Sequence, residues 1–298
     1  MNTSSRNEPV TLRPWLSLLP ALLTLVMLFG GGLALALAQS LGYWPALGRE
    51  TLSLDAYRLV LSEPEFWPAL GFTVWTAGLA TVGALILGVA GAMLLRAAAP
   101  GLGLTSWFAQ LNLPVPHSVG AVMILLLLGQ SGWLARLAAA LGWIERPVEF
   151  PILTHDPWGL GIVVEYVWKS AVFVAVSAWA ALAAVDADYD SVARTLGASG
   201  WRRFTSVTLP LLRPALIGAG TLVFAYTFGS FEVPLLLGQR YPSTLAVLAY
   251  RDYVAIDLDR RPAALALSLL ITAVTGAVAL AGWVAQRRLA SETGVPSR

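Results

Sequence analysis

Six long apolar stretches are the feature of this sequence that most restricts how the chain can fold. They cover approximately residues 15–39, 68–95, 108–130, 158–183, 211–237 and 262–285. A helix needs about 20 mostly apolar residues to cross the hydrocarbon core of a bilayer. Each stretch meets that requirement, so the sequence predicts an all-α membrane protein with about six transmembrane helices in a single domain.

The composition agrees with a lipid environment. Of the 298 residues, 57% are apolar and 12% are charged, whereas a soluble domain carries roughly a quarter charged residues. The chain has no cysteine, which excludes disulfides, thiolate metal ligands and a cysteine nucleophile. Two histidines argue against a metal site, and scattered arginines give no basic face for nucleic acid.

The first apolar stretch follows Arg6 and Arg13 and contains an Ala-Leu-Ala sequence at 36–38 that looks like a signal-peptidase site. Its apolar region exceeds the roughly 7–15 residues of a cleavable signal, so we expect an uncleaved first span. Six spans put both termini on one side of the membrane. The termini and the loops near 96–107 and 184–210 hold ten arginines against eight on the other side, which predicts cytoplasmic termini.

The loop between the fourth and fifth stretches, residues 186–210, carries the most informative pattern. Acidic residues up to Asp190 precede a short helical stretch, as a helix N-terminus favours, and Gly197 then supplies a break. A basic and aromatic segment follows, and Pro210 marks the expected return into the membrane. The pattern predicts a short helix that lies across the membrane face and is joined to a span at each end.

This loop resembles the "EAA" signature of permease subunits in type I ABC importers. That signature has an acidic-Ala-Ala start, a glycine four residues later and an aliphatic-x-Leu-Pro end. Ser191 and Val192 depart from it where the family has Glu and Ala, and Asp190 would supply the missing charge. The residues that fall on the pattern with its spacing are Ala193, Gly197, Val207, Leu209 and Pro210.

Two further regions resemble the same family. Residues 52–67 resemble the external segment before the second span, and residues 228–238 resemble the fifth span in the branch that carries polyamines, ferric iron, thiamine and opine-like solutes. The resemblance covers about residues 50–290. It implies the type I ABC importer permease fold in a bacterial inner membrane, with a translocation path that opens by alternating access.

The resemblance also implies the partners. A cytoplasmic ABC ATPase dimer would receive the 186–210 loop in a groove, a second permease subunit (identical or homologous) would complete the pore, and an external binding protein would deliver the solute. This chain would hold no cofactor, because the ATPase binds ATP and magnesium. The residues predicted to couple to the ATPase are Asp190, Ala193, Leu196, Gly197, Trp201, Val207, Leu209 and Pro210.

Enzymatic alternatives can be tested against the sequence. A phosphate-binding P-loop needs Gly-Lys followed by Ser or Thr, and the only lysine, Lys169, does not follow a glycine, so this chain is not an ATPase. Gly-x-Ser-Gly strings at Ser131 and Ser199 leave an intramembrane serine protease as an alternative. However, neither His117 nor His155 lies on a span that follows the serine, as that class requires.

Ionisable residues inside the fourth stretch are candidates for the translocation path, because charges in spans are costly and usually functional. Glu165 and Lys169 are four residues apart, so they share a helix face and can neutralise each other. A structural pair is therefore as reasonable as a role in the path. An ion-coupled secondary transporter would explain the same charges and is the second alternative.

Glu232 in the fifth stretch has no such local partner. It precedes Pro234, which removes a helix hydrogen bond and predicts an irregular, solvated part of the span. With Tyr226 and Phe228 nearby, Glu232 is predicted to line the path and to favour a cationic or amine-bearing solute.

Overall fold

The computed structural model of the chain describes residues 13–45, 48–97, 112, 114–183 and 188–293. Within these residues, six helical segments are long and apolar enough to cross a membrane, and we number them spans 1 to 6. The prediction of an all-α membrane protein with six spans is confirmed. The spans are Leu18–Ser40, Phe66–Arg96, His117–Ala140, Leu160–Ala183, Gly200–Gly229 and Leu258–Leu289.

Spans 1 and 3 are irregular. Span 1 is built from helices Arg13–Leu25 and Gly31–Ser40, joined by a π-helical turn. Span 3 is built from helices His117–Leu128 and Trp133–Ala140, with a sharp turn between them. Its predicted first residues, 108–111 and 113, lie outside the described residues. The described helix of span 3 begins at His117, directly after Pro116, the second of two prolines at the predicted start.

Span 5 differs from the predicted range of 211–237. It begins at Gly200 and continues through the π-helical turn Phe204–Thr208 into the helix Leu209–Gly229. Pro210 therefore does not restart the chain. The wider hydrogen-bond spacing of the π-helical turn just before Pro210 accommodates a residue that has no N–H to donate.

The far end of span 5 breaks before the predicted limit. Pro234 cannot donate to the carbonyl of Ser230, four residues earlier, so a helix through this point would leave that carbonyl without its partner. The helix ends at Gly229, Ser230 is extended, and a separate short helix runs over Glu232–Leu237. The irregular region expected near Glu232 is therefore present.

Shorter helices connect the spans. Asp55–Ser62 lies between spans 1 and 2, and Leu245–Tyr253 lies between spans 5 and 6, followed by the 3₁₀ turn Leu258–Arg260 and the helix Arg261–Thr293. Asp188–Thr195 connects spans 4 and 5 at the opposite end of the bundle. A further 3₁₀ turn, Pro147–Glu149, lies in the connection between spans 3 and 4.

Ion pairs tie together the connections at the end opposite Asp188–Thr195. Three of the four pairs join the segment before span 2 to residues 251–260, which are far away in sequence, and the fourth lies within residues 251–260. These connections are therefore a folded surface. The pairs are Arg49–Asp259 at 2.6 Å, Arg260–Glu63 at 3.5 Å, Arg260–Asp252 at 3.3 Å and Arg251–Glu65.

Spans 2 and 4 approach each other most closely at glycines of span 2. A Cβ atom added at Gly88 would lie 2.5 Å from the side chain of Val174, and one at Gly83 would lie 2.7 Å from that of Val167. Small residues allow two helix backbones to approach in this way. Gly78 differs, because an added Cβ there would meet nothing within 4 Å in this chain.

Candidate functional site

The helix Asp188–Thr195, in the predicted coupling loop, ends in a turn that requires glycine. Gly197 has a φ of 76°, its N–H donates to the carbonyl of Arg194 at 3.0 Å, and the N–H of Ala198 donates to the carbonyl of Ala193 at 3.0 Å. This is the Schellman pattern that ends helices at a left-handed residue. An added Cβ at Gly197 would meet none of the described atoms within 4 Å, so among the described residues the backbone conformation is what demands glycine.

Large apolar side chains on this loop are exposed. Leu196 is 81% exposed and Trp201 is 74% exposed, with Trp201 packed beside Phe204 at 5.8 Å between ring centroids. Tyr189 and Val192 on the preceding helix are exposed as well. The predicted coupling residues that lie partly buried are Ala193, Val207, Leu209 and Pro210. Residues 186–187 and the side chain of Asp190 lie outside what the structure describes.

Trp201 lies in the first turn of span 5. The helix that begins at Gly200 continues without interruption to Gly229, and the hydroxyl of Ser199 caps it by accepting from the backbone N–H of Arg202 at 3.4 Å. Trp201 and the apolar part of span 5 therefore belong to one helical segment. The turn at Gly197 joins this helix to the preceding one.

A polar cluster joins the start of span 3 to spans 4 and 5. The Nδ1 atom of His117 lies 3.0 and 3.2 Å from the two carboxylate oxygens of Glu165, whose side chain is fully buried. A Cβ atom at Gly120 would lie 2.7 Å from one of these oxygens, so a glycine makes room for the carboxylate. Because a carboxylate only accepts, Nδ1 carries the proton in this contact.

Lys169 compensates for the missing donor of a proline. Its ammonium donates to the carbonyls of Asn112 and Val115, each at 2.5 Å. In a continuous helix the N–H of residue 116 would bond to the carbonyl of Asn112, but Pro116 has no N–H. Glu165 and Lys169 share a helix face, as expected, yet Glu165 bonds to His117 at the start of span 3 and Lys169 bonds to the segment just before it, rather than to each other.

Aromatic rings surround His117. The ring of Tyr226 lies 4.7 Å from that of His117, and the ring of Tyr166 lies 5.8 Å from it. Tyr166 is 1% exposed, and its hydroxyl has no hydrogen-bond partner among the described residues. His117 and Tyr166 were not predicted as site residues from the sequence. Two features of the sequence could have indicated His117. It is one of two histidines in the sequence, and it directly follows Pro116.

A pocket of about 250 Å³ opens beside this cluster. Its polar wall is formed by His117, Lys169, Ser170 and Tyr226, and its apolar wall includes Phe173. Lys169 lies nine residues after the start of span 4, which is about 14 Å along the helix axis. Lys169 therefore lies well inside the helix of span 4.

Two predicted path residues lie elsewhere. Phe228 is 1% exposed and packs in the core, where its ring stacks on that of Phe224 at 5.7 Å. Glu232 is exposed at the start of the short helix after span 5 and does not line the pocket. The structure thus brings Glu165, Lys169 and Tyr226 together. Phe228 lies in the core, and Glu232 lies outside the pocket wall but interacts electrostatically with Tyr166 and Tyr226.

The Gly-x-Ser-Gly strings are structural. Ser131 lies in the turn between the two helices of span 3, and Ser199 caps span 5. His117 is engaged with Glu165, and within the described residues neither serine bonds to a histidine. The protease alternative therefore has no support.

Together, a bundle of six spans, a short exposed helix between two of them and a polar pocket lined by spans 3, 4 and 5 define a transport permease. Residues 56–290 match the family of binding-protein-dependent transport system inner membrane components. The chain belongs to this family and is a permease subunit of an ABC importer, a multi-pass inner-membrane protein rather than an enzyme. The secondary-transporter alternative is set aside by this membership.

Individual relatives agree. The molybdenum transport system permease protein ModB of Mycobacterium tuberculosis (strain ATCC 25618 / H37Rv) is 30% identical over 240 residues, covering 77% of this chain and 86% of the relative. The trehalose transport system permease protein SugA of the same strain is 27% identical over 229 residues, covering 72% of each chain.

The fold also matches a solved structure. A chain of a bacterial ABC transporter involved in the import of the acidic polysaccharide alginate superimposes with a TM-score of 0.74 at 18% identity, covering 93% of this chain and 96% of the other. At that identity the likeness concerns the fold alone.

Proposed function

We propose that this subunit pairs with a second permease, identical or homologous, and moves a small solute through the membrane by alternating access. An external binding protein delivers the solute, and a cytoplasmic ABC ATPase dimer drives the cycle through the 186–210 loop. The observation that carries the proposal is the exposed apolar surface of Leu196 and Trp201, built directly onto span 5. Family membership supports the same arrangement.

The coupling surface has the character of a protein interface. Exposed tryptophans that become buried in a partner's pocket account for a large share of binding energy, and their truncation commonly costs about 2 kcal/mol or more. Trp201 is 74% exposed and held in place beside Phe204, so its ring is available to a partner and already ordered. Leu196 extends the same apolar surface around the Gly197 turn.

Replacing Trp201 by alanine tests this proposal. Trp201→Ala removes the largest apolar contact without changing the buried core, so we expect normal membrane insertion but at least a tenfold loss of ATPase association and a strong loss of solute uptake. Copurification of the ATPase with the tagged permease measures the first effect, and uptake by intact cells measures the second.

Trp143 is the matched control. It is 76% exposed, against 74% for Trp201, and lies in the connection between spans 3 and 4 at the opposite end of the bundle. Trp143→Ala should leave ATPase copurification unchanged. If Trp201→Ala retained its ATPase as well as Trp143→Ala does, the coupling role of this surface would be wrong.

The orientation that follows has both termini in the cytoplasm. The sequence count of ten arginines against eight favours it only narrowly. Five of the eight arginines on the external side lie within 4 Å of a carboxylate oxygen, so a structural role accounts for their position. These are Arg49, Arg58, Arg146, Arg251 and Arg260.

Cysteine labelling tests the orientation, because the chain has no cysteine of its own. Ser62 and Ser199 are both exposed and lie at opposite ends of the bundle. A membrane-impermeant maleimide should label Ser62→Cys in intact cells, and should label Ser199→Cys only after the membrane is opened. Labelling of Ser199→Cys from outside would refute both the orientation and the coupling role.

The proposed path passes Lys169 and Tyr226. Glu165 does not line the pocket and orients His117 through their hydrogen bond. Phe228 and Glu232 would join the path only in another state of the transport cycle. The solute classes expected from the sequence, polyamine, ferric iron and thiamine, stay predictions. The relatives named above are described as carrying molybdenum and trehalose, which widens the range.

A further inference from the structure

None of the described residues that line the pocket carries a carboxylate, and Lys169 carries a positive charge. Lys169 contributes an ammonium to its wall, whereas the carboxylate of Glu165 is fully buried and bonded to His117. An ammonium has three N–H donors. The carbonyls of Asn112 and Val115 accept two of them, which leaves one for a ligand.

Ser170 adds a hydroxyl that forms no hydrogen bond with the described residues. It is 8% exposed and lines the pocket, and among the described residues its hydroxyl has no hydrogen-bond partner. Ser177, two turns along the same helix, instead donates to the carbonyl of Phe173 at 2.8 Å. Because a buried polar group without a partner costs free energy, a ligand in the pocket would complete the bonding of Ser170.

Two further features of the wall favour an anion. Tyr226 brings a second hydroxyl, on a ring fixed against His117. The helix His117–Leu128 begins at the pocket with its first residue in the wall, and the N-terminus of a helix carries a partial positive charge. Half-helices that begin at membrane depth commonly direct this end at anionic groups of a substrate.

We propose that this pocket is a transmembrane binding site for the translocated solute and that the solute is a small oxyanion. The ammonium of Lys169 supplies the charge, and the hydroxyls of Ser170 and Tyr226 donate to the anion's oxygens. This inference rests on the proposed transport function. A volume of about 250 Å³ accommodates a tetrahedral oxyanion.

Direct binding of molybdate and sulfate tests the inference. The permease, copurified with its ATPase and partner permease, is placed in nanodiscs of a zwitterionic lipid without the binding protein, and binding is measured by equilibrium dialysis. We expect both anions to bind, and Ser170→Ala to weaken binding about tenfold, since one hydrogen bond to a charged group is lost. Tyr226→Phe, which keeps the ring stacked on His117, should act in the same direction, and Ser177→Ala should leave binding unchanged.

Several outcomes would overturn the site and leave the coupling proposal standing. One is a complex that hydrolyses ATP but binds neither anion. The same holds if Ser170→Ala and Tyr226→Phe bind the anions as well as the wild type does. Another is saturable binding of spermidine that Glu232→Gln abolishes, which would assign a cationic solute. A third is displacement of molybdate by phosphatidylglycerol but not by sulfate, which would assign the pocket to a lipid headgroup. Loss of the ATPase from the wild-type preparation would instead contradict the proposed function.

Discussion

Gly88→Leu is expected to abolish folded, monodisperse permease. Even a Cβ atom at this position would lie 2.5 Å from the side chain of Val174 and 3.0 Å from the carbonyl oxygen of Ala171, so spans 2 and 4 would have to separate. Overpacking a well-packed core costs about 1–3 kcal/mol, and here the obstacle includes backbone. Fluorescence-detected size-exclusion chromatography of the detergent extract measures the loss.

Alanine substitutions along span 2 provide graded controls. The distance from the added Cβ to the nearest atom is 2.5 Å at Gly88 and 3.2 Å at Gly91, and nothing lies within 4 Å at Gly78. Melting temperature should therefore fall most for Gly88→Ala, less for Gly91→Ala and not at all for Gly78→Ala. Alanine also favours the helix over glycine by roughly 0.5–1 kcal/mol. Equal destabilisation at all three positions would contradict the close packing of spans 2 and 4.

The six spans could be predicted because their signal is local. An apolar run of about 20 residues has few alternatives to a membrane helix, whatever it packs against. The limits of span 5 could not be predicted as well, since proline at 210 has two structural solutions. The chain can stop there, or a π-helical turn can accommodate the missing N–H, and the structure takes the second.

The break at Gly197 in the predicted coupling loop could also be predicted from the sequence, for a similar reason. A left-handed turn after a short helix favours glycine strongly, and Gly197 occupies that left-handed position. What the sequence did not reveal is that Trp201 belongs to the helix of span 5. That follows from the continuity of the helix past Pro210, which no local pattern indicated.

The polar cluster depends on tertiary contacts and was only partly foreseen. Helical spacing correctly places Glu165 and Lys169 on one face, but their partners come from span 3 and the segment just before it, with His117 lying 48 residues before Glu165 in the sequence. Mutual neutralisation of Glu165 and Lys169 was the simplest local expectation. The segment before span 3 changed it, because the carbonyls of Asn112 and Val115 accept from Lys169 on another helix.

Lys169→Met is expected to destabilise the permease severely. Methionine keeps an unbranched side chain of similar length but donates nothing, so the carbonyl of Val115 would lose the ammonium, and that of Asn112 would keep the N–H of Val115 at 3.3 Å. A buried acceptor left unsatisfied costs about 1–3 kcal/mol, and no water is available in the hydrocarbon region to replace the donor. We expect a large fall in melting temperature and in the yield of assembled complex.

Restoring a backbone donor provides the decisive comparison. Pro116→Ala returns an N–H to the position that would bond to the carbonyl of Asn112 in a continuous helix, so the double variant Lys169→Met/Pro116→Ala should recover part of the lost melting temperature. A positive coupling between the two substitutions in a double-mutant cycle would assign the effect to this carbonyl rather than to the lysine charge. Strictly additive effects, or wild-type stability of Lys169→Met, would show that Lys169 does not compensate for the proline. Its ammonium would then be held in the membrane for the solute alone.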